Sequence, residues 1–157
     1  MKKFGLLLCT MFAGILTMYG QGAKNIKINE VLTNNTANLQ DEFGNRRAWI
    51  ELANTSFSTY DVRGMYITTD RRVLNKGLSV PQRIKMMSCI PNGDNRTSMS
   101  AREHLLFFFN SNPSHGTLHL SAQICKDKPT WIALYDGNAV DIIDSVTVPP
   151  LAANQSY

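Results

Sequence analysis

Cysteine is scarce in this chain: three in 157 residues, none close in sequence to another. That spacing excludes the paired-cysteine knuckles of zinc sites and the redox C-x-x-C motif. Charged residues are sparse at 18%, and aromatic side chains make up 9%. Beyond the first 22 residues, no apolar run approaches the roughly 20 residues that a bilayer-crossing helix needs. There is no G-x-S-x-G nucleophile elbow and no glycine-rich phosphate loop opening a helix. Apolar spacing at i, i+3, i+4 and i+7 is sustained nowhere past the N-terminal tract, so long amphipathic helices are not expected.

That tract is of another kind. Met1, Lys2 and Lys3 precede "GLLLCTMFAGILTMYG", an apolar run short of a bilayer span. A basic start with a short apolar centre reads as a secretory signal peptide over residues 1–22. Gly20 and Gly22 supply small residues at −3 and −1 of a cut before Ala23. Cys9 falls too early for a lipoprotein cysteine, and it follows leucines rather than small residues. Residues 23–157 are then one exported domain, periplasmic, cell-surface or secreted, with length enough to close a core. Lys2 and Lys3 leave with the leader, so fourteen basic residues face twelve acidic ones. Cys89 and Cys125 remain. An oxidising compartment permits a disulfide between them, and their spacing neither requires nor forbids one.

Period-two alternation dominates the rest. "IKINEVL" carries Ile26, Ile28 and Leu32 in one row, with Glu30 in the same row. "WIEL" sets Ile50 and Leu52 on one face and Trp49 with Glu51 on the other, which a sandwich leaves mostly to solvent. "LLFFF" is apolar on both faces, as a central strand is. "WIALYDGNAVDIIDSVTV" has two alternating runs about Asp136, Gly137 and Asn138, the pattern of a β-hairpin. "TNNTANLQDEFGNRR", "IPNGDNRTS" and "NSNPSHG" are turn-rich connections. Short strands without βαβ alternation predict an all-β sandwich.

Several side chains could carry chemistry, and each also has a structural reading. Glu30 and Glu51 could form a carboxylate pair, but on a solvated strand face neither has the surroundings a general acid or base needs. His115 and His119 have the H-x-x-x-H spacing. On a strand four residues span roughly 13 Å, too far to share one metal ion, and His119 is expected to point outward. Asp41 with Glu42, and Asp94 with Asn95, could offer oxygens to calcium, though without EF-hand spacing. Trp49, Tyr60, Tyr66, Trp131 and Tyr135 are expected to pack on and between strands rather than form a glycan platform. Arg63, Arg71, Arg72, Lys76, Arg83, Lys85, Arg96 and Arg102 are opposed between residues 63 and 102 only by Asp70 and Asp94. Such a run is usually a solvated face, and export argues against nucleic acid as its partner.

The order of these pieces resembles a known family. "INEVLTNNTANLQDEFGNRRAWIELANTSFSTYDVRGMYITTD" is similar to the opening half of a bacterial lamin-tail domain. The matching residues are Asn29 and Glu30 after Ile28, the loop Asp41-Glu42-Phe43-Gly44, Trp49-Ile50-Glu51-Leu52 with Asn54, and Gly64 ahead of a strand ending at Asp70. "HLLFFF", "TLHLS", the "WIALYDGNAVDIIDSV" segment with Asp136 and Gly137, and Gln155-Ser156-Tyr157 resemble its closing half, so the likeness spans residues 26–157. Two positions depart from the pattern: Met65 stands where tryptophan is usual, and Arg47-Ala48 where Pro-Asp is usual. The resemblance implies an immunoglobulin-like sandwich used for binding or spacing, with no catalytic residue set and no cofactor. The family pattern continues past the serine-tyrosine, so the chain is read as a possible N-terminal piece of a longer protein.

The expected function is therefore a non-enzymatic binding, attachment or structural module of the cell envelope, with a protein or glycan partner. One alternative is the extracytoplasmic part of a membrane-anchored protein resembling a sodium-pump decarboxylase gamma subunit. Another is a small exported hydrolase using Glu30, Glu51 or the His115/His119 region, for which two of those groups should share a cleft within about 6 Å.

Overall fold

The computed structural model describes residues 22–157, so the leader expected over residues 1–22 and the Cys9 reading lie, Gly22 apart, outside the described residues. The chain is mostly β. Its strands are β1 Ile26–Leu32, β2 Trp49–Asn54, β3 Tyr60–Asp61, β4 Tyr66–Thr68, β5 Ser88–Cys89, β6 Ser98–Met99, β7 His104–Phe109, β8 His119–Leu120, β9 Thr130–Tyr135 and β10 Ile142–Val148. A five-residue helix, α1 (Val80–Ile84), is the longest helix among the described residues. No described helix is long and apolar enough to cross a membrane.

The strands form two four-stranded sheets, ordered β1-β2-β7-β8 and β10-β9-β4-β5, with a two-stranded ladder β3-β6 beside them. Strand alternation delivers one row from each sheet into a shared core. Ile26, Ile50, Leu52 and Phe107 of the first sheet meet Ile67, Ile132 and Leu134 of the second, all fully buried. This agrees with the all-β sandwich expected from the sequence. β7 is apolar on both faces as predicted: Phe107 and Phe109 enter the shared core, while Phe108 packs on the opposite side with Leu32 and Trp49.

That second cluster corrects one expectation. Trp49 was placed with Glu51 on a solvated face, yet it is buried between Leu32 and Phe108. The loop between β1 and β2 brings Phe43 onto His119, and His119 stacks on Phe108, so this end of the outer face is covered. Trp131, Ala133 and Tyr135 on the outer face of the second sheet are buried likewise, against Val73, Met86 and Met87 of the 71–87 segment. Inner-sheet packing was expected of these aromatics, but Trp49, Tyr66, Trp131 and Tyr135 pack on the outer faces, and Tyr60 alone of the five packs against the shared core.

Glu30 is the second correction. The register runs Ile28 to Leu52 and then Glu30 to Glu51, so Asn29 is the extra residue of a β-bulge. One inserted residue flips the faces that follow. Val31 therefore joins the core and Glu30 leaves the row of Ile26 and Ile28. A second bulge interrupts β10 between Ile142 and Asp144, and Asp144 Oδ2 accepts the Ile28 N–H at 2.9 Å. The two edge strands meet through these irregularities, which blunt their unpaired backbone groups.

The β9–β10 hairpin stands where the sequence placed it. Its loop, however, takes its left-handed residue at Ala139 (φ 56°), not at Gly137 or Asn138. Asn138 Oδ1 accepts from the Val140 and Asp141 amides and so fixes that loop without a glycine. Gly64 does need to be glycine, at φ 78°. Gly137 lies against it, where a Cβ would sit 3.4 Å from the Gly64 carbonyl oxygen.

Asn54 ends β2 as a buried clasp. Its Nδ2 donates to the carbonyls of Ser58, Met99 and Ser100, and its Oδ1 accepts from Ser56 N and Oγ. Asn54→Ala is expected to cost about 3 kcal/mol, because several buried carbonyls lose their donor at once. Leu52→Asp should cost more than about 4 kcal/mol and leave no soluble fold, whereas Glu51→Gln should stay within about 1 kcal/mol. Thermal and urea melts of the three variants check this, and a collapse of the Glu51 variant would contradict the placement of that strand.

Candidate functional site

Turn chemistry, not strand alternation, brings the histidines together. After β7 the chain makes a 3-10 turn at Pro113–His115, passes Gly116 at φ 115°, and returns so that β8 pairs parallel with β7, His119 opposite Phe108. The expected extended spacing does not occur, and the two imidazole centroids lie 5.5 Å apart. His119 was expected to face outward. Instead its side chain is 0% exposed, enclosed by Phe108 and Phe43.

Asn110, which sequence reasoning passed over, organises the pair. Its Oδ1 accepts the Asn112 N–H at 2.9 Å, so its amide nitrogen must face the rings. Nδ2 lies 2.7 Å from His119 Nδ1 and 3.1 Å from His115 Nδ1. An amide nitrogen only donates, so both Nδ1 atoms accept, and each neutral imidazole carries its proton on Nε2. His119 Nε2 in turn lies 2.9 Å from Glu42 Oε2, out of line for a good hydrogen bond but at ion-pair distance. Phe43 packs against His115, ring centroids 4.5 Å apart and planes tilted by 43°, and remains half-exposed. The only sequence signal for this rack was the clustered Asn, Pro and Gly of "NSNPSHG", which announces a turn but not its partners.

The loop carrying Glu42 and Phe43 is held by Asp41. Its buried carboxylate accepts from the Phe43 and Asn45 amides and from Arg47 Nε at 2.7 Å. Burial pushes the Asp41 carboxyl up, but those donors outweigh it and leave it below the ordinary carboxylate range. Glu42 is also lowered: burial raises it, while its own backbone amide, His119 and the more distant Arg96 pull harder the other way. Asp94 is held far below the usual range by Arg96, whose guanidinium grips both its oxygens. These oxygens already serve N–H donors, so neither acidic loop is built as a calcium cage. Among the described residues no three His, Cys, Asp or Glu side chains are placed to hold a metal ion.

Glu30 and Glu51 face one another across a rung of the β1–β2 ladder. Glu51 Oε1 accepts from Asn29 Nδ2 at 2.7 Å and lies 3.3 Å from His104 Nδ1, a surface network on an open strand face. Cys89 and Cys125 are both exposed and unbonded, so the permitted disulfide is not formed. Cys125 instead borders two shallow grooves, which flank residues 123–127. One, of about 430 Å³, is lined by Arg71, Arg72, Gln123 and Trp131, with the Arg71 guanidinium 5.7 Å above the Trp131 ring. The other, of about 460 Å³, is lined by Thr33, Arg47, Asn110 and Lys126. Asn110 thus links the histidine rack to open surface at the loop end, where loops 33–48 and 110–118 meet residues 123–127.

No protein-family model matches the chain, and no curated protein matches it in sequence.

Two measurements test this geometry. Long-range ¹⁵N–¹H correlation spectra at neutral pH should show both His115 and His119 as Nε2–H tautomers, and Asn110→Ala should abolish that selection and cost about 2 kcal/mol. In acid, the lowered carboxyls of Asp41 and Glu42 set the sign. Their contribution is complete above the ordinary carboxylate range and is lost as pH falls through the folded values, because the unfolded chain takes up protons first. Melting temperature should therefore fall below about pH 4, and Glu42→Gln should flatten that slope.

Proposed function

We propose that this chain is an exported, non-enzymatic recognition module of lamin-tail type, an immunoglobulin-like sandwich that engages a partner at the cell envelope through its loop end. One observation carries the reading. The most enzyme-like side chain, His119, has no exposed surface: Phe108 and Phe43 enclose its ring, and Nδ1 is held by Asn110. Its neighbours form a scaffold that fixes the loop around Asp41-Glu42-Phe43-Gly44, and open grooves lie beside that scaffold. Loops fixed on a rigid sheet are where such domains recognise partners.

The lamin-tail likeness gains support from the roles its motif residues play. Asn54 closes the end of β2, Gly64 holds a left-handed turn, and Gly137 packs against that turn. Met65, standing where the family has tryptophan, is buried in the shared core, as a flexible side chain filling the same gap would be. Export rests on the basic and apolar residues 1–22.

A second reading, a small exported hydrolase, draws on the meeting of Glu42, His119 and His115, which is closer than the sequence led one to expect. It would require Phe43 to move aside and admit substrate. The chain from Ala23, assayed against chromogenic esters and phosphodiesters, is expected to show no turnover above a His119→Asn control. Turnover abolished by Glu42→Gln would overturn the recognition reading. Fusion of residues 1–30 to a periplasm-dependent phosphatase should give exported activity, and a silent fusion would remove the address.

A further inference from the structure

Residues 71–93 contain Arg71, Arg72, Lys76, Arg83 and Lys85 and no acidic residue. Val73, Met86 and Met87 of this stretch cover the outer face of the second sheet, Ser88 and Ile90 are buried, and most of residues 71–85 faces water. Its fold is locally braced. Asp70 Oδ1 accepts the Arg72 amide at the start of a 3-10 turn, and the Arg72 guanidinium grips the same carboxylate. Arg83 donates to the carbonyls of Val73, at 2.6 Å, and Asn75, at 3.0 Å, tying α1 back to that turn. Ser79 and Gln82 cap the start of α1.

Once those bonds are made, two kinds of side chain are left over on one small lobe. Lys76 and Lys85 are exposed, with no salt bridge to either among the described residues. Leu74, Val80 and Ile84 are also exposed, at 44%, 40% and 37%. None of the five residues of α1 is buried, and Val80 and Ile84, four apart, lie on one side of it. A helix that contributes nothing to the core yet displays aliphatic side chains beside uncompensated cations is not explained by folding.

We propose that this lobe is a docking surface for an anionic lipid bilayer, with Leu74, Val80 and Ile84 entering the headgroup boundary and Lys76 and Lys85 meeting lipid phosphates. The inference goes beyond the loop-end recognition reading and assigns a second surface, the outward side of residues 74–85, to a partner of its own. Charge complementarity alone would also suit an acidic glycan. Such a ligand would answer the lysines and leave three aliphatic side chains in water, whereas a membrane interface takes both. The lobe's small apolar area and few cations make the attachment reversible and dependent on ionic strength.

The test uses residues 23–157, within which the described core closes, since the leader would itself partition into lipid. Binding to phosphatidylcholine vesicles containing phosphatidylglycerol is expected at low salt, with at least tenfold weaker binding to phosphatidylcholine alone. Lys76→Gln with Lys85→Gln should weaken it about 25-fold, roughly fivefold per cation. Val80→Ser with Ile84→Ser should remove the part that persists in high salt, while heparin binding, if any, stays as it was. A lipid spin label should broaden amide signals of residues 74–85 in the unaltered protein, a readout that needs no variant to fold. Failure to bind anionic vesicles, broadening centred elsewhere, or heparin binding tighter than vesicle binding would each overturn the proposal. The turnover assay reads a different property, so vesicle failure leaves the recognition reading standing, and turnover would remove that reading whatever the vesicles show.

Discussion

Burial of one aliphatic row from each sheet against the other is the constraint on which everything else depends. Ile26, Ile50, Leu52 and Phe107 must meet Ile67, Ile132 and Leu134, and each of these is withdrawn from water completely. Because strand side chains alternate, a slip of one residue would exchange that row for polar neighbours such as Glu51. The register of β2 is thereby fixed by hydrophobic burial rather than by any single hydrogen bond. The bulges at Asn29 and near Ile143 are permitted because they occur where β1 and β10 are edges, and Asp144 binds one edge to the other there.

Polar side chains do a second job on this frame: they hold loops. Asn54, Asp41, Arg83 and Asn154 each serve several backbone groups from one side chain, and Asn110 joins one backbone amide to two imidazoles. Asn154, for example, accepts from the Thr36 and Ala37 amides, close to where Tyr157 pairs with Val31 along the edge of β1. A buried amide or carboxylate with all its bonds made is inexpensive, and one left half-satisfied is not, so these clasps set loop geometry firmly. The same economy explains why the ionisable groups near the histidines point to a scaffold. Asp41 serves two loop amides and Arg47, and His119 lies enclosed against Phe43 with Nδ1 held by Asn110. What stays available to a partner is the open surface beside them, and, on the opposite side of the second sheet's covering segment, the cationic and aliphatic lobe.

Legibility of the site was uneven. The Asp41-Glu42-Phe43-Gly44 loop could be singled out by its resemblance to a family pattern, and the turn in "NSNPSHG" by its composition. Neither showed that the two meet. His119 looked like one tooth of an alternating strand because Leu118 and Leu120 flank it; in the structure only His119 and Leu120 pair as β8, and both are buried. Trp49 was misplaced for a related reason: alternation tells which face a side chain joins, not whether a loop covers that face.

Strand character, the inward row of Ile50 and Leu52, the β9–β10 hairpin, the doubly apolar β7 and the lack of long helices among the described residues were all legible in the sequence. These follow from local stereochemistry, since alternation, turn residues and apolar runs act between neighbours in sequence. Tertiary structure alone decided the bulge that turns Glu30 out of its row, the convergence of Glu42, His119, Asn110 and His115, and the separate fates of Cys89 and Cys125. Each depends on which distant segment lies opposite, and that is settled by how two sheets and their loops close around a common interior, which no local pattern records.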